Sequence, residues 1–173
     1  MDATKSGAAP KPRPRPIVGT LAYILSPDRS KVLLVHRTYR ESDENLGKWN
    51  GVGGHLERGE DAAACMTREI FEETGLRVRS MSLRGTVVWE DFGPKKEDWL
   101  GFVFLVDSFE GEPFADNDEG TLSWQPVDSL DRLPMWKGDR LFLPMVFDGD
   151  PRPFHAYMRY EGDEPADWRC TRL

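Results

Sequence analysis

Two apolar stretches near the beginning of the chain predict a β-hairpin. Residues 17–25 (IVGTLAYIL) and 31–37 (KVLLVHR) consist largely of apolar side chains, and the turn sequence SPDRS separates them. Short apolar runs on either side of a turn rich in Pro, Asp and Ser are typical of paired strands. We therefore expect the sheet of this protein to begin with a hairpin.

Residues 61–74 carry the strongest helix signal of the chain. Asp61 or Glu60 stands where a residue can cap the first turn, alanines follow, and Gly75 comes immediately after the last helical residue. An acidic residue before a helix and a glycine after it are the usual start and stop signals. The pattern predicts one helix that ends at Gly75.

The rest of the chain predicts further strands and one more helix. Between the hairpin and the first helix, KWNGVGGHLERGE (48–60) combines glycines with charges, so we expect a loop with an unusual backbone path. The later elements are strands near 81–90, 99–107 and 121–127, a short helix within 133–149, and final strands within 153–162 and 168–173. Strands before and after a helix, without regular alternation, favour a mixed α/β sandwich over a doubly wound sheet.

Three glutamates are gathered at the end of the predicted helix. Glu69, Glu72 and Glu73 have the spacing that puts them on one helix face, in the last turns before the glycine. The helix dipole disfavours anions there, and like charges at this spacing repel each other. A hard divalent cation such as Mg²⁺ or Mn²⁺, which prefers carboxylate oxygens, turns this repulsion into attraction. The alternative is a solvated acidic face on a surface helix.

The residues around these acids resemble the Nudix box. The box is a glycine, five residues, glutamate, seven residues, then arginine–glutamate–aliphatic–any–glutamate–glutamate–any–glycine–aliphatic. The sequence GHLERGEDAAACMTREIFEETGL fills every defined position, with Gly54, Glu60, Arg68, Glu69, Ile70, Glu72, Glu73, Gly75 and Leu76. The resemblance implies an α/β/α sandwich with a mixed sheet, in which the box forms a loop–helix–loop.

The resemblance also implies roles for the residues of the box. The metal ligands it implies are the carboxylates of Glu69, Glu72 and Glu73 and the backbone carbonyl of Gly54. Glu60 and Arg68 are expected to support the box structurally, because an ion pair between them can hold the loop against the helix. The alternative role for Glu60 is that of a further metal ligand.

The reaction class implied by the family is hydrolysis of a nucleoside diphosphate linked to another group. Metal ions that bridge a diphosphate neutralise developing charge and position a water for attack on phosphorus. Such a reaction also needs a base. Glu119, in DNDEGTLSW just ahead of a predicted strand, lies where related enzymes often carry a metal-linked or water-activating glutamate. Its alternative is an ordinary solvated acid in an acidic loop.

Beyond the box, the chain contains WNGVGGHLERGE, DS with GEP after it, DE followed by W, MW with an aspartate three residues after the Trp, and a closing TRL. In these segments it resembles the MutT-like branch of the family, whose members remove oxidised purine nucleoside triphosphates such as 8-oxo-dGTP. By this resemblance Asn50, Trp136 and Asp139 bind the base: an amide for the purine edge, a ring for stacking and a carboxyl group. The branch often has two adjacent acids here, but the first position is Gly138. The alternatives are a turn residue at Asn50, a core side chain at Trp136 and a helix cap at Asp139.

Composition and charge narrow the classes of partner. The net charge of −7 disfavours binding to nucleic acid, and no apolar run approaches the ~20 residues that span a membrane. Residues 1–16, rich in Pro and basic side chains, are expected to form a disordered tail before a single domain at 17–173. Two cysteines, Cys65 and Cys170, provide no disulfide framework, which favours a reducing cytoplasm.

Several other residues are interpreted as structural. Arg37 and Lys48 are expected to be solvated charges and His55 a surface histidine; for all three the alternative is a contact with the phosphates of a substrate. The aromatic side chains Trp89, Trp99, Trp124 and Phe104 are expected in the core, since they fall in strand-like segments.

The sequence thus predicts a Mg²⁺-dependent Nudix enzyme, monomeric or homodimeric, that cleaves oxidised purine nucleoside triphosphates into a monophosphate and pyrophosphate. One alternative is a Nudix pyrophosphatase for another diphosphate, such as ADP-ribose, a dinucleotide or a capped RNA end. A second alternative is a non-catalytic nucleotide-binding module, which predicts loss of Glu72 or Glu73; both are present.

Overall fold

The computed structural model describes residues 14–39, 41 and 44–172. It contains an eight-stranded sheet, two α-helices and a short 3₁₀ helix at Val127–Arg132. The strands are β1 (Ile17–Leu25), β2 (Lys31–Arg37), β3 (Trp49–Asn50), β4 (Arg77–Phe92), β5 (Glu97–Glu110), β6 (Gly120–Pro126), β7 (Phe154–Glu161) and β8 (Glu164–Arg172). The helices are α1 (Ala62–Thr74) and α2 (Asp139–Phe147).

The sheet is mixed, as predicted. The strand order is β3-β2-β1-β5-β4-β7-β8, with β6 beside β2. The pairs β1/β5 and β4/β7 are parallel, whereas the remaining pairs are antiparallel. The predicted hairpin of β1 and β2 and both of the predicted final strands are confirmed.

The two helices cover opposite faces of the sheet. Alternate side chains of β1 and β2 enter two separate core clusters, as the twofold repeat of a strand requires. Met66 and Ile70 of α1 belong to one cluster, and Phe142 and Val146 of α2 belong to the other. This arrangement of helix, sheet and helix is the predicted sandwich.

Helix α1 has the predicted start and end. The side chain of Asp61 accepts a hydrogen bond from the backbone N–H of Ala64 at 2.8 Å. At the other end Gly75 adopts a left-handed conformation, with φ of 76°, and donates to the carbonyl of Phe71. Both contacts satisfy backbone groups that the helix leaves unpaired at its ends.

Strands β4 and β5 are longer than the apolar pattern predicts. A tight turn at 93–96 joins them, with positive φ at Gly93 and Lys96. Their far ends are polar and exposed, and Arg79 forms an ion pair there with Glu110. Because these end residues lack apolar alternation, the sequence pattern underestimates the hairpin by several residues on each strand.

The loop after β3 is inserted between β1 and β2. These two strands pair only near their turn, and beyond it the loop takes the place of a neighbour to β1. Thr20 donates its backbone N–H to the carbonyl of Gly54 at 2.8 Å, and Ala22 exchanges backbone hydrogen bonds with Val52. A Cβ atom at Gly53 would lie 2.0 Å from the carbonyl oxygen of Thr20, so the close approach requires glycine.

Three further expectations concern membrane spans, the cysteines and the first residues of the chain. Within the described part of the chain, no helix is both long and apolar enough to cross a membrane. Cys65 and Cys170 are free thiols. Of the predicted tail, residues 1–13 lie outside the described range, and residues 14–16 have no regular secondary structure.

Arg84 of β4 holds the end of α2 in place. It is nearly buried and donates hydrogen bonds to the carbonyls of Val146, Met145, Asp148 and Asp150 at 2.9–3.2 Å. It also forms an ion pair with the carboxylate of Asp148 at 3.0 Å. The carbonyls of Met145 and Val146 belong to the last turn of α2, which a helix leaves unpaired, and those of Asp148 and Asp150 follow it, so one side chain fixes both the helix end and the segment after it.

We expect Arg84→Ala to lower the free energy of unfolding by about 3 kcal/mol, because it removes the Arg84 donor from the carbonyls of Val146, Asp148 and Asp150 and leaves only Arg172 at that of Met145. Urea unfolding followed by circular dichroism measures the loss. Arg79→Ala is the matched control, since Arg79 and its partner are exposed and should contribute little. Equal losses in the two variants would contradict the role assigned to Arg84.

Candidate active site

A cavity of about 540 Å³ lies where the inserted loop, α1, β1 and α2 meet. Its size is within the range of small-molecule sites. The site residues predicted from sequence that line it are Asn50, Gly54, Glu69, Glu73, Glu119, Trp136 and Asp139. The other three, Glu60, Arg68 and Glu72, lie outside its wall.

One end of the cavity is acidic. The carboxylate of Glu69 lies directly against Gly54, where an added Cβ would be 2.3 Å from Oε1. Glu73 is half-buried, and its Oε2 atom is buried without a hydrogen-bond partner among the described residues. Burial, reinforced by the nearby charges of Glu119 and Glu69, raises the pKa of Glu73 to about 9. The fold thus holds a carboxyl group in surroundings that disfavour its charge.

Two arginines neutralise part of this acidic end. Arg37 forms an ion pair with Glu119, so the expectation that Arg37 is a freely solvated charge is wrong. Arg68 contacts Glu69 at 2.7 Å and Glu72 at 3.1 Å. The side chain of Glu72 is 57% exposed, which places it on the outer side of the helix.

Arg68 also ties the loop of the box to the helix. Its Nε donates to Glu60 Oε1 at 2.7 Å, and its Nη2 donates to Glu60 Oε2 at 2.9 Å. A further hydrogen bond from Nη2 reaches the backbone carbonyl of His55. The hydrogen bonds from Arg68 lower the pKa of Glu60 to about 2. The expected ion pair is therefore present and fixes the loop against α1.

The donor chemistry of the acidic end fits a hard divalent cation. Glu69, Glu73, Glu119 and the carbonyl of Gly54 offer only oxygen atoms, and the unpartnered Oε2 of Glu73 has a lone pair to give. Among the described residues no three His, Cys, Asp or Glu side chains converge as a metal-binding set. The carboxylate of Glu119 pairs with Arg37 and that of Glu69 pairs with Arg68, so these two carboxylates do not turn toward one another.

The other end of the cavity is aromatic with a few polar atoms. Trp136 is nearly buried, and its indole Nε1 donates to Oδ1 of Asn45 at 2.6 Å. The same oxygen lies 3.3 Å from Nδ2 of Asn50, which leaves Oδ1 of Asn50 buried without a partner among the described residues. The ammonium of Lys48 lies 4.2 Å from the centre of the Trp136 ring. Trp136 is therefore both part of the core and part of the cavity wall.

Asp139 lies at the first residue of α2 and is partly exposed through the cavity. Burial of its carboxyl group raises the pKa to about 7, against a smaller opposite effect of Arg140. Near neutral pH this side chain therefore exists in both protonation states. It can donate a hydrogen bond in one state and only accept in the other.

Sequence reasoning missed several residues of the cavity wall. Trp89 packs against the core as expected but also lines the cavity, where Trp99 is its cross-strand partner. Phe104 is buried in the core and Trp124 packs against it. The missing information was the pairing of β4 with β5, which brings the two tryptophans together. Tyr23 was also missed. It lines the cavity together with other residues at every second position of β1. Because successive side chains of a strand point to opposite faces, this spacing could have identified it from the sequence.

Comparison with known proteins agrees with this geometry. The model of the NUDIX domain matches residues 15–146 of the chain. This protein belongs to the Nudix family. The match covers most of the chain, and members of the family are hydrolases that use divalent metal ions on nucleotide substrates.

Individual relatives and structures refine the comparison. The oxidized purine nucleoside triphosphate hydrolase of Danio rerio is 30% identical over 145 residues, which are 84% of this chain and 87% of that protein. The crystal structure of a MutT protein from Bacillus halodurans has a TM-score of 0.77 at 29% identity, and covers 89% of this chain and 97% of that one. The ADP-ribose pyrophosphatase of Methanocaldococcus jannaschii is 31% identical over 104 residues, 60% of this chain and 59% of that protein. These matches confirm the predicted Nudix fold and the MutT-like resemblance.

The raised pKa of Asp139 predicts a pH-dependent effect of Asp139→Asn on the stability of this Nudix protein. The folded state holds the proton up to about pH 7, whereas the unfolded state loses it near pH 4, so ionisation destabilises the fold as pH rises between these values. Asparagine cannot ionise. We expect the variant to melt at least ~3 °C above the wild type at pH 8, with the difference vanishing at pH 4. Thermal unfolding between pH 4 and pH 8 measures the difference in melting temperature. A difference that does not depend on pH would contradict the raised pKa of Asp139.

Proposed function

We propose that the protein hydrolyses oxidised purine nucleoside triphosphates, such as 8-oxo-dGTP, to the monophosphate and pyrophosphate in a Mg²⁺-dependent reaction. The observation that carries this proposal is the continuous cavity, which joins an acidic end to an aromatic end with an amide and a carboxyl group. A nucleotide has the matching polarity, with charged phosphates at one end and a flat polar base at the other.

The acidic end is where the phosphates and the metal would be held. Glu69, Glu73 and the carbonyl of Gly54 supply oxygen ligands, and Glu72 lies one turn away on the exposed side of α1. Mg²⁺ (or Mn²⁺) bound there supplies charge neutralisation for the phosphate oxygens and a site for the attacking water. Glu60 and Arg68 keep the loop and the helix in register and so hold Gly54 next to Glu69.

Glu119 is the group we assign to the attacking water. It lies in the cavity wall and pairs with Arg37. The ion pair orients its carboxylate, and the remaining lone pairs are able to accept a proton or a hydrogen bond from water. Catalysis in this proposal therefore depends on Glu69, Glu72 and Glu73 for the metal and on Glu119 for the water.

The aromatic end is where the base would be read. Trp136 provides a stacking surface, Asn50 presents an unpartnered oxygen, and Asp139 offers a carboxyl group with either protonation state. Gly138 leaves no second acid, and a Cβ there would lie 2.2 Å from the hydroxyl of Tyr160. A single acid reads less of the base edge, so we propose a class of purine substrates instead of one base.

The relative from Danio rerio, named as an oxidized purine nucleoside triphosphate hydrolase, supports this substrate class because its match covers most of both chains. In this proposal the enzyme sanitises the nucleotide pool and thereby protects DNA. It would act in a reducing cytoplasm on a small-molecule nucleotide, as a monomer or homodimer, without nucleic acid or membrane as a partner.

A second candidate substrate is ADP-ribose or another nucleoside diphosphate derivative. It is favoured by the match to the ADP-ribose pyrophosphatase of Methanocaldococcus jannaschii, although that match covers less of each chain. The acidic end would act in the same way on such a substrate. The two candidates differ in the base, which is adenine in ADP-ribose, and in the group beyond the diphosphate, which is a second ribose instead of a third phosphate.

A turnover panel with Mg²⁺ separates the two candidates. It contains the four standard dNTPs, 8-oxo-dGTP, 2-oxo-dATP, ADP-ribose and a dinucleoside polyphosphate, with products separated chromatographically and pyrophosphate distinguished from phosphate. We expect an oxidised purine triphosphate to give the highest kcat/KM and to release pyrophosphate. Faster turnover of ADP-ribose or the dinucleotide would refute the proposed substrate and leave the Nudix chemistry in place.

We expect Glu73→Gln to keep the fold and to lose at least ~100-fold in kcat, because an amide, unlike the carboxyl group, cannot lose a proton to become a charged oxygen ligand when the metal binds. Steady-state kinetics at increasing Mg²⁺ measures the loss, and circular dichroism checks the fold. The control is Glu110→Gln, because Glu110 forms an exposed ion pair with Arg79 and does not line the cavity. This variant should keep the wild-type activity. A Glu73→Gln variant with a near-wild-type rate at saturating Mg²⁺ would refute the metal assignment.

A further inference from the structure

The hydroxyl group of Tyr23 is a polar atom that the site described above does not use. Tyr23 is completely buried in the protein, yet it lines the cavity. Its hydroxyl has no hydrogen-bond partner among the described residues. Buried polar groups are nearly always paired, and an unpaired hydroxyl destabilises the fold. An exception at the wall of a ligand cavity points to a partner that arrives with the ligand.

The position of the Tyr23 ring is well determined by its neighbours. The ring makes an edge-to-face contact with Phe147 of α2 at 5.7 Å between centroids. On the other side it lies close to Gly51, where an added Cβ would be 3.3 Å from Cε1. With the ring held between α2 and the inserted loop, the hydroxyl has little freedom to turn toward another protein group.

The hydroxyl belongs to the end of the cavity that contains Asn50 and Asp139. Burial, together with the nearby charge of Asp139, raises the pKa of Tyr23 well above its usual value, so the phenol stays protonated. Asn45 accepts from Nδ2 of Asn50, and this contact does not use Oδ1 of Asn50. Tyr23, Asn50 and Asp139 line the same cavity, so a phenol, an amide oxygen and a carboxyl group are available to one ligand.

We propose that Tyr23 is a further base-reading residue, whose hydroxyl hydrogen-bonds to a purine that carries an exocyclic oxygen or amino group on its six-membered ring. This inference rests on the proposed assignment of the aromatic end to the base. A phenol is both donor and acceptor, so it complements either exocyclic group, while the oxygen of Asn50 selects for a neighbouring N–H. Tyr23 thus supplies part of the recognition that the missing acid at Gly138 does not.

Tyr160 provides a matched control. It is the other nearly buried tyrosine whose charge environment includes Asp139, but its hydroxyl lies against Gly138 and does not line the cavity. Removing either hydroxyl makes the same chemical change at a similar depth. Only the change at Tyr23 should be felt by a ligand.

The test measures binding by calorimetry, without any requirement for turnover. The probes are 8-oxo-dGMP and the monophosphate of unsubstituted purine deoxyriboside, titrated into wild type, Tyr23→Phe and Tyr160→Phe. We expect Tyr23→Phe to weaken binding of 8-oxo-dGMP about tenfold, the effect of one neutral hydrogen bond. Binding of the unsubstituted purine should be unchanged, Tyr160→Phe should affect neither probe, and both variants should be at least as stable as the wild type.

Other outcomes overturn the inference in distinguishable ways. Unchanged affinity of Tyr23→Phe for 8-oxo-dGMP excludes a hydrogen bond, and an equal loss with both probes means that the ring positions the base without reading its edge. Equal losses in both tyrosine variants indicate a general packing effect. If the wild type binds neither purine monophosphate, the role proposed for Tyr23 is also refuted. If binding follows the expectation but no triphosphate is hydrolysed, the proposed function fails and the role of Tyr23 in base recognition stands.

Discussion

The backbone hydrogen bonds between β1 and the inserted loop organise the whole site. The bond from Thr20 to Gly54 and the pair between Ala22 and Val52 keep the loop in a gap that the sheet would otherwise close. One end of this short loop leads to the carboxylates of α1 and the other to Asn50 beside Trp136. A displacement of the loop would therefore separate the acidic end from the aromatic end, even if every side chain kept its own rotamer.

Electrostatics gives the acidic end its character. Several carboxylates are brought close together in partial burial, where like charges disfavour full ionisation, as the raised pKa of Glu73 shows. Arg37 of β2 and Arg68 of α1 offset part of this repulsion through their ion pairs with Glu119 and Glu69. The protein is thus folded with its excess negative charge partly compensated, which leaves an anionic substrate dependent on cations at this end.

The sequence allowed most of the order of elements, the mixed sheet, α1 with its C-terminal glycine and the acidic residues of the box to be predicted. Strand β3, which lies within the segment predicted as a loop, and the 3₁₀ helix were not predicted. The predicted features depend on local patterns: apolar runs, capping residues and a dense motif. The cavity wall depends on how the strands pair and which face each side chain takes, which is why Trp89 and Trp99 were assigned only to the core and Tyr23 was not singled out. Glu72 shows a different limit, because helix spacing groups it with Glu69 and Glu73 while the helix orientation turns it toward solvent.

The packing around Gly138 has a consequence for how this pocket can evolve. A side chain at that position would meet the hydroxyl of Tyr160 at 2.2 Å and the sulfur of Met158 at 2.5 Å. Acquiring a second acid beside Asp139 therefore requires smaller residues on β7 at the same time, and neither change is useful without the other. Substitutions that share one space are energetically coupled, so a single mutational step toward the two-acid pocket is blocked by overpacking.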